Sequence, residues 1–110
     1  MPLPNGLYKL AVETPTGTDY GVAYLQDGRL RGGDSGMAYV GSYEQIGETF
    51  SAELSVTQHR HVPGVVSALG YNDVQVQLDG LVGDNSAQLR ASYRDLSSIR
   101  FAARLKYVAD

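Results

Sequence analysis

The sequence predicts an all-β fold: about eight antiparallel strands in an up-and-down barrel, with at most a short helical turn. Turn signals built on Gly, Pro, Asn and Asp recur along the chain, and the segments between them alternate with the period of two expected of half-buried strands. No segment reads as an amphipathic helix. Eight Tyr and 13 Gly with no Trp suit a strand-rich chain with many tight turns. A chain of 110 residues has room for one core, so residues 1–110 are expected to form a single domain. A consecutive meander of this size can close on itself, which removes its exposed edges and favours a barrel over an open sandwich.

The first strand is expected over Gly6 to Glu13, where Tyr8, Leu10 and Val12 alternate with Lys9, Ala11 and Glu13. Pro15-Thr16-Gly17-Thr18 turns the chain into Asp19 to Gln26, and Asp27-Gly28 then tolerates the positive φ of a tight hairpin. A short strand, Arg29 to Arg31, enters Gly32-Gly33 and leads to a fourth at Met37 to Tyr43. A loop is expected over Glu44 to Glu48. Thr49 to His59 places Phe50, Ala52, Leu54 and Val56 on one face. Arg60 to Asn72 is irregular, and a helical turn over Val65 to Leu69 would cap one end of the barrel. Asp73 to Gly80, Ser86 to Arg94 and Ile99 to Tyr107 complete the set, with Tyr93 and Phe101 among the residues expected to face inward.

Two strands break the one-sided pattern. In Tyr20 to Leu25, both Tyr20, Val22, Tyr24 and Gly21, Ala23, Leu25 are apolar; in Met37 to Tyr43, Tyr39 and its in-phase neighbours oppose Ala38 and Val40. Strands apolar on both sides are usually covered on both. A second copy of the chain is the simplest cover. This predicts a homodimer with Tyr20, Val22, Tyr24 and Tyr39 at the interface.

Composition narrows the function classes. The net charge of −3 argues against direct nucleic-acid binding, which wants a basic face. No apolar run is long enough for a membrane-spanning helix, and the opening residues lack the pattern of a secretory signal, so a cytoplasmic location away from membranes is expected. The absence of Cys removes disulfides, thiolate metal sites and Cys nucleophiles together. Five of the nine basic residues lie at or beyond Arg90, a pattern that a solvated strand face explains more readily than a basic edge built for an oriented protein contact.

Gly33-Asp34-Ser35-Gly36 imitates the nucleophile loop of a serine protease, with His59 or His61 as the base. Such enzymes pack two barrels together, their motif continues with Gly-Pro rather than Met37, and their His precedes the Ser. The alternative is that Gly32, Gly33 and Gly36 build a turn where side chains do not fit; no catalytic residue is assigned. His59 and His61 point the same way on a strand, but no third ligand stands at a telling spacing, so no metal site is expected. The glycines open no helix, so there is no phosphate loop, and no cofactor is expected.

Gly32-Gly33-Asp34-x-Gly36-x-x-Tyr39-x-Gly41, then Val56-x-x-His59, Ser67-Ala68-Leu69-Gly70, Leu78-x-Gly80 and Gly83-Asp84, cover nearly the whole chain in order. In these the chain resembles the GrlR family, negative regulators of type III secretion. The resemblance implies a lipocalin-like barrel, a homodimer, and regulation by protein contact rather than catalysis. It implies a protein partner of the kind those regulators sequester, a transcriptional activator, bound through an acidic Glu-Asp-Glu-Asp quartet. The matching segment here, Tyr43-Glu44-Gln45-Ile46-Gly47-Glu48, holds two carboxylates, so partner binding carries over to Glu44 and Glu48 alone. The rival reading is a barrel that encloses a small apolar ligand, because its inward set mixes large aromatics with Ala.

Overall fold

The alternating segments become eight strands in a computed structural model that describes residues 2–14, 17–59, 73–93 and 96–110. They are β1 (Gly6–Thr14), β2 (Gly17–Gln26), β3 (Arg29–Gly33), β4 (Met37–Ile46), β5 (Thr49–Gln58), β6 (Asp73–Gly83), β7 (Ser86–Tyr93) and β8 (Leu96–Ala109). Each pairs antiparallel with the next, and β1 pairs with β8 from Leu7↔Ala109 to Glu13↔Ala102, closing the barrel. There is no helix among the described residues, so none there could cross a membrane. Val65 to Leu69 lie outside the described residues, as do the side chains of Tyr93 and Phe101.

Two-residue turns set the register of the hairpins. Asp27 and Gly28 both have positive φ (51° and 85°), the geometry that Asp-Gly suits, and they join Gln26 to its partner Arg29. The expected loop over Glu44 to Glu48 is much shorter than that. Gln45↔Phe50 and Ile46↔Thr49 stay paired, so β4 continues to Ile46 and the turn shrinks to Gly47 (φ 61°) and Glu48. Likewise β6 runs past Gly80 to Gly83, paired with Ser86.

The inward phase of each strand fills the barrel. Tyr8 is fully buried, meets Tyr107 edge-to-face at 5.5 Å, and donates its hydroxyl hydrogen to the Pro4 carbonyl at 2.6 Å. Tyr43 stacks on Phe50 with centroids 5.3 Å apart. Burial pushes the Tyr8 hydroxyl up to about 12, with Tyr43 and Tyr107 adding to the shift. Fully burying side chains such as Phe50 and Leu25 stabilises the fold by roughly 1.5–3 kcal/mol each. One end is closed by the segment before β1: the Leu3 amide donates to Gln45 Oε1, Gln45 Nε2 donates back to the Leu3 carbonyl, and Leu3 itself is buried. Asn5 and Asp27 are joined by two further hydrogen bonds at the same end.

Candidate binding surfaces

The glycine-rich segment between β3 and β4 is a hairpin whose two-residue turn is Ser35-Gly36. The Asp34 amide donates to the Met37 carbonyl. The Asp34 carboxylate caps the turn: Oδ1 accepts from the amides of Gly36 (2.9 Å) and Met37 (2.8 Å), and Oδ2 accepts from the Tyr39 hydroxyl (2.5 Å). His59 Nε2 donates to the Asp34 carbonyl at 3.0 Å, and the His59 amide donates to the Gly36 carbonyl. Asp34 and His59 are thus brought to Ser35, but as the frame of a turn. Both carboxylate oxygens are occupied, and the His59 nitrogen nearest the loop carries a hydrogen.

Glycine is required at only part of this motif. A Cβ on Gly32 would stand 2.2 Å from the Val22 carbonyl oxygen, and one on Gly33 would stand 2.6 Å from that of Met37. Gly36 has open space where its Cβ would be, which corrects the expectation that all three glycines exclude side chains.

Tyr39 does not stand with Tyr20, Val22 and Tyr24. It faces into the barrel, 5% exposed, and burial followed by its hydrogen bond to Asp34 holds its hydroxyl well above the ordinary tyrosine range. A residue in that position is out of reach of a partner at the outer wall, so the proposed interface loses Tyr39. The physical reason is phase: Met37, Tyr39 and Tyr43 are buried, whereas Val40 points out.

Tyr20, Val22 and Tyr24 do form a row, all on the outer face of β2 and all exposed, with Tyr20 at 73%. Tyr24 is flanked by Leu7 on β1 and Arg31 on β3, and Arg31 is paired in turn with Val40. The Arg31 guanidinium folds onto the carbonyls of Leu30 (2.8 Å) and Gly41 (3.0 Å). Its charge is turned to the backbone, and the row of apolar side chains continues across to Val40.

Glu44 and Glu48 are both exposed, one on β4 and one in the turn after it. Ile46 stands between them in sequence and on the outer face, 73% exposed, and the pairs Ile46↔Thr49↔Leu81 bring Leu81, 63% exposed, onto the same rim. Two bare aliphatic side chains thus accompany the carboxylates. Sequence reasoning missed both, although a signal existed: each is an apolar residue in the polar phase of its strand, Ile46 after Ser42 and Glu44, Leu81 after Gln77 and Asp79.

His61 lies outside the described residues, so the two-histidine arrangement is not described. Among the described residues no group of three or more His, Asp or Glu side chains could hold a metal ion. No protein-family model matches the chain, and no curated protein matches it at a significant level.

Proposed function

We propose that the protein acts by protein contact rather than catalysis, as a homodimeric cytoplasmic barrel that sequesters a protein partner. The observation that carries this reading is the row Tyr20, Val22, Tyr24 and Val40, large apolar side chains exposed on the outer wall of a barrel that buries its other apolar phase inside. Contiguous exposed aromatic and aliphatic surface of this kind marks association sites. A second copy of the chain covers that row. The rim of Glu44, Ile46, Glu48 and Leu81 takes the partner, its aliphatic side chains anchoring and its carboxylates selecting a basic surface. The resemblance to the GrlR family makes a transcriptional activator the natural partner and control of type III secretion the natural process.

Interior packing weighs against the rival ligand-binding barrel. Tyr8, Phe50, Leu25, Leu30 and Leu89 are large side chains that belong to a single buried cluster inside the barrel.

Sedimentation velocity tests the dimer. The wild-type protein is expected to sediment as a dimer at micromolar concentration, and Val22→Lys/Tyr24→Lys as a folded monomer with an unchanged far-ultraviolet circular dichroism spectrum. A wild-type monomer at that concentration would sink the proposed interface. The partner arm is separate: affinity capture from the native host should recover a partner with wild-type protein and lose it with Glu44→Lys/Glu48→Lys. Equal recovery by the two proteins would remove the acidic rim from the account.

A further inference from the structure

On the outer wall where β7, β8, β1 and β2 run side by side, there is a cleft of about 340 Å³. Its floor is Ala11 and the strand backbone around it, and long side chains fence it: Lys9 and Lys106 on one side, Arg104 and Gln88 on another, Tyr20 on a third. The register explains the shape. Ala11 is paired with Tyr20 on β2 and with Arg104 on β8, so a methyl group lies between two of the longest side chains on the wall.

The charges are arranged unusually. Lys9 and Lys106 are directly paired across the β1–β8 seam, both exposed. Like charges directly opposite one another on neighbouring strands repel and destabilise the pair. Among the described residues, no carboxylate forms an ion pair with either ammonium, although the protein as a whole carries net negative charge. Glu13, the nearest acid along β1, is already engaged by Arg104 at 2.6 Å. The structure thus keeps two uncompensated positive charges beside an apolar floor walled by a tyrosine ring.

We infer that this cleft is a binding site for a small organic anion with a flat apolar body. The body lies on Ala11 against the Tyr20 ring, and the carboxylate, sulfonate or phosphate group lies between Lys9 and Lys106, with the Ser86 hydroxyl beside Lys106 as a further donor. An anion bound between the two ammonium groups would relieve the repulsion of the paired lysines. The inference does not depend on the proposed dimer. Tyr20 nonetheless belongs to both surfaces, so occupancy of the cleft is coupled to association across β2.

The test uses 1-anilinonaphthalene-8-sulfonate as the probe, with its uncharged relative N-phenyl-1-naphthylamine as the control. Sulfonate binding, read by fluorescence, is expected to weaken at least tenfold in Lys9→Ala/Lys106→Ala, to weaken with added salt, and to be competed by 1-naphthoate. Binding of the uncharged probe should not change. The variant removes a repulsion, so its thermal midpoint should match or exceed that of wild type, which separates lost binding from lost folding. Repeating the titration in Tyr24→Lys, which adds no charge directly opposite Lys9, keeps the cleft and the dimer distinguishable: binding retained in that variant supports the cleft whatever the oligomeric state. Equal sulfonate affinity in wild type and the lysine variant would overturn the inference. So would competition by an acidic peptide but not by 1-naphthoate, which would make the wall a protein-docking surface instead.

Discussion

Two walls of this barrel share one interior and differ completely outside. On β5 and β6 the outward side chains satisfy one another. The Ser51 hydroxyl donates to Asp79 (2.9 Å), Gln77 Nε2 donates to Ser51 (3.0 Å), and Gln75 Nε2 donates to Ser55 (2.7 Å). On β1 and β2 three of the four outward pairs, Leu7↔Tyr24, Lys9↔Val22 and Ala11↔Tyr20, are apolar on at least one side, and Glu13↔Thr18 alone is polar on both. Along its middle the first wall is finished as a solvent surface, with Leu81 left bare at its rim. The second leaves apolar area and cationic charge without intramolecular partners along its length, so that is where self-association should be sought.

That contrast can be broken by moving charge onto each wall in turn. Val22→Lys/Tyr24→Lys should weaken self-association by roughly a thousandfold, about 4 kcal/mol, because two charges would be buried against apolar surface. Ser55→Lys/Gln75→Lys, the matching change on the polar wall, should leave the sedimentation coefficient and the dissociation constant unmoved. If the second variant dissociated as readily as the first, the distinction between the walls would not hold.

An interior change should cost folding stability without favouring either wall. Asp34→Ala removes the cap on two backbone amides and strands the buried Tyr39 hydroxyl. Leaving a buried donor unpaired and losing such a cap should lower the unfolding free energy by about 3 kcal/mol, measured by urea denaturation. Asp34→Asn keeps an acceptor and should recover part of that loss. Full stability in Asp34→Ala would show that the turn does not need its cap.

Much of this was legible in the sequence, and the failures have physical causes. Where one face was apolar and the other polar, as with Phe50, Ala52, Leu54 and Val56, the inward assignments hold among the described side chains, with Tyr107 partly buried. In β2 and β4 both faces are apolar, and periodicity alone cannot tell in from out. In β2 the expected outer set, Tyr20, Val22 and Tyr24, is the exposed one, and the inward set is the smaller Gly21, Ala23 and Leu25, because the wall closes tightly there. A Cβ on Gly21 would meet the Gly33 carbonyl oxygen at 2.2 Å. Tyr39 went to the wrong side of β4, since only the Asp34 cap, a contact of the folded chain, reveals that its hydroxyl is satisfied inside. Ile46 and Leu81 were missed because the hairpins extend further than their turn residues suggest. The Lys9–Lys106 pairing joins opposite ends of the chain, and no local pattern announces it.

High pH probes the shared interior by another route. The folded state raises the Tyr8 hydroxyl from about 10 to about 12, so the protonated form is the one that fits the core. Stability from this group is fully present below pH ~10 and is lost as pH rises toward ~12. Tyr39 shifts in the same direction and steepens the loss. Absorbance at 295 nm should therefore show a late tyrosinate fraction whose appearance coincides with unfolding. Ionisation of all the tyrosines with the fold intact would contradict the packing around Tyr8.

The smallest effects separate the walls most cleanly. Ser51→Ala removes the hydroxyl that links Asp79 and Gln77 on the polar wall, so the unfolding free energy should fall by about 0.5–1 kcal/mol. Self-association should not change. Tyr20→Ser removes a ring that touches solvent over most of its surface, so the stability of the separated protomer should stay within ~0.5 kcal/mol of wild type. Here the dissociation constant should rise, and bound 1-anilinonaphthalene-8-sulfonate should weaken with it. The two variants thus exchange roles: one reads out a wall that serves folding, the other a wall that serves binding. If Tyr20→Ser destabilised the protomer as much as Ser51→Ala while leaving association untouched, the exposed row on β2 would be part of the fold's own support, and the case for a partner at that wall would fail.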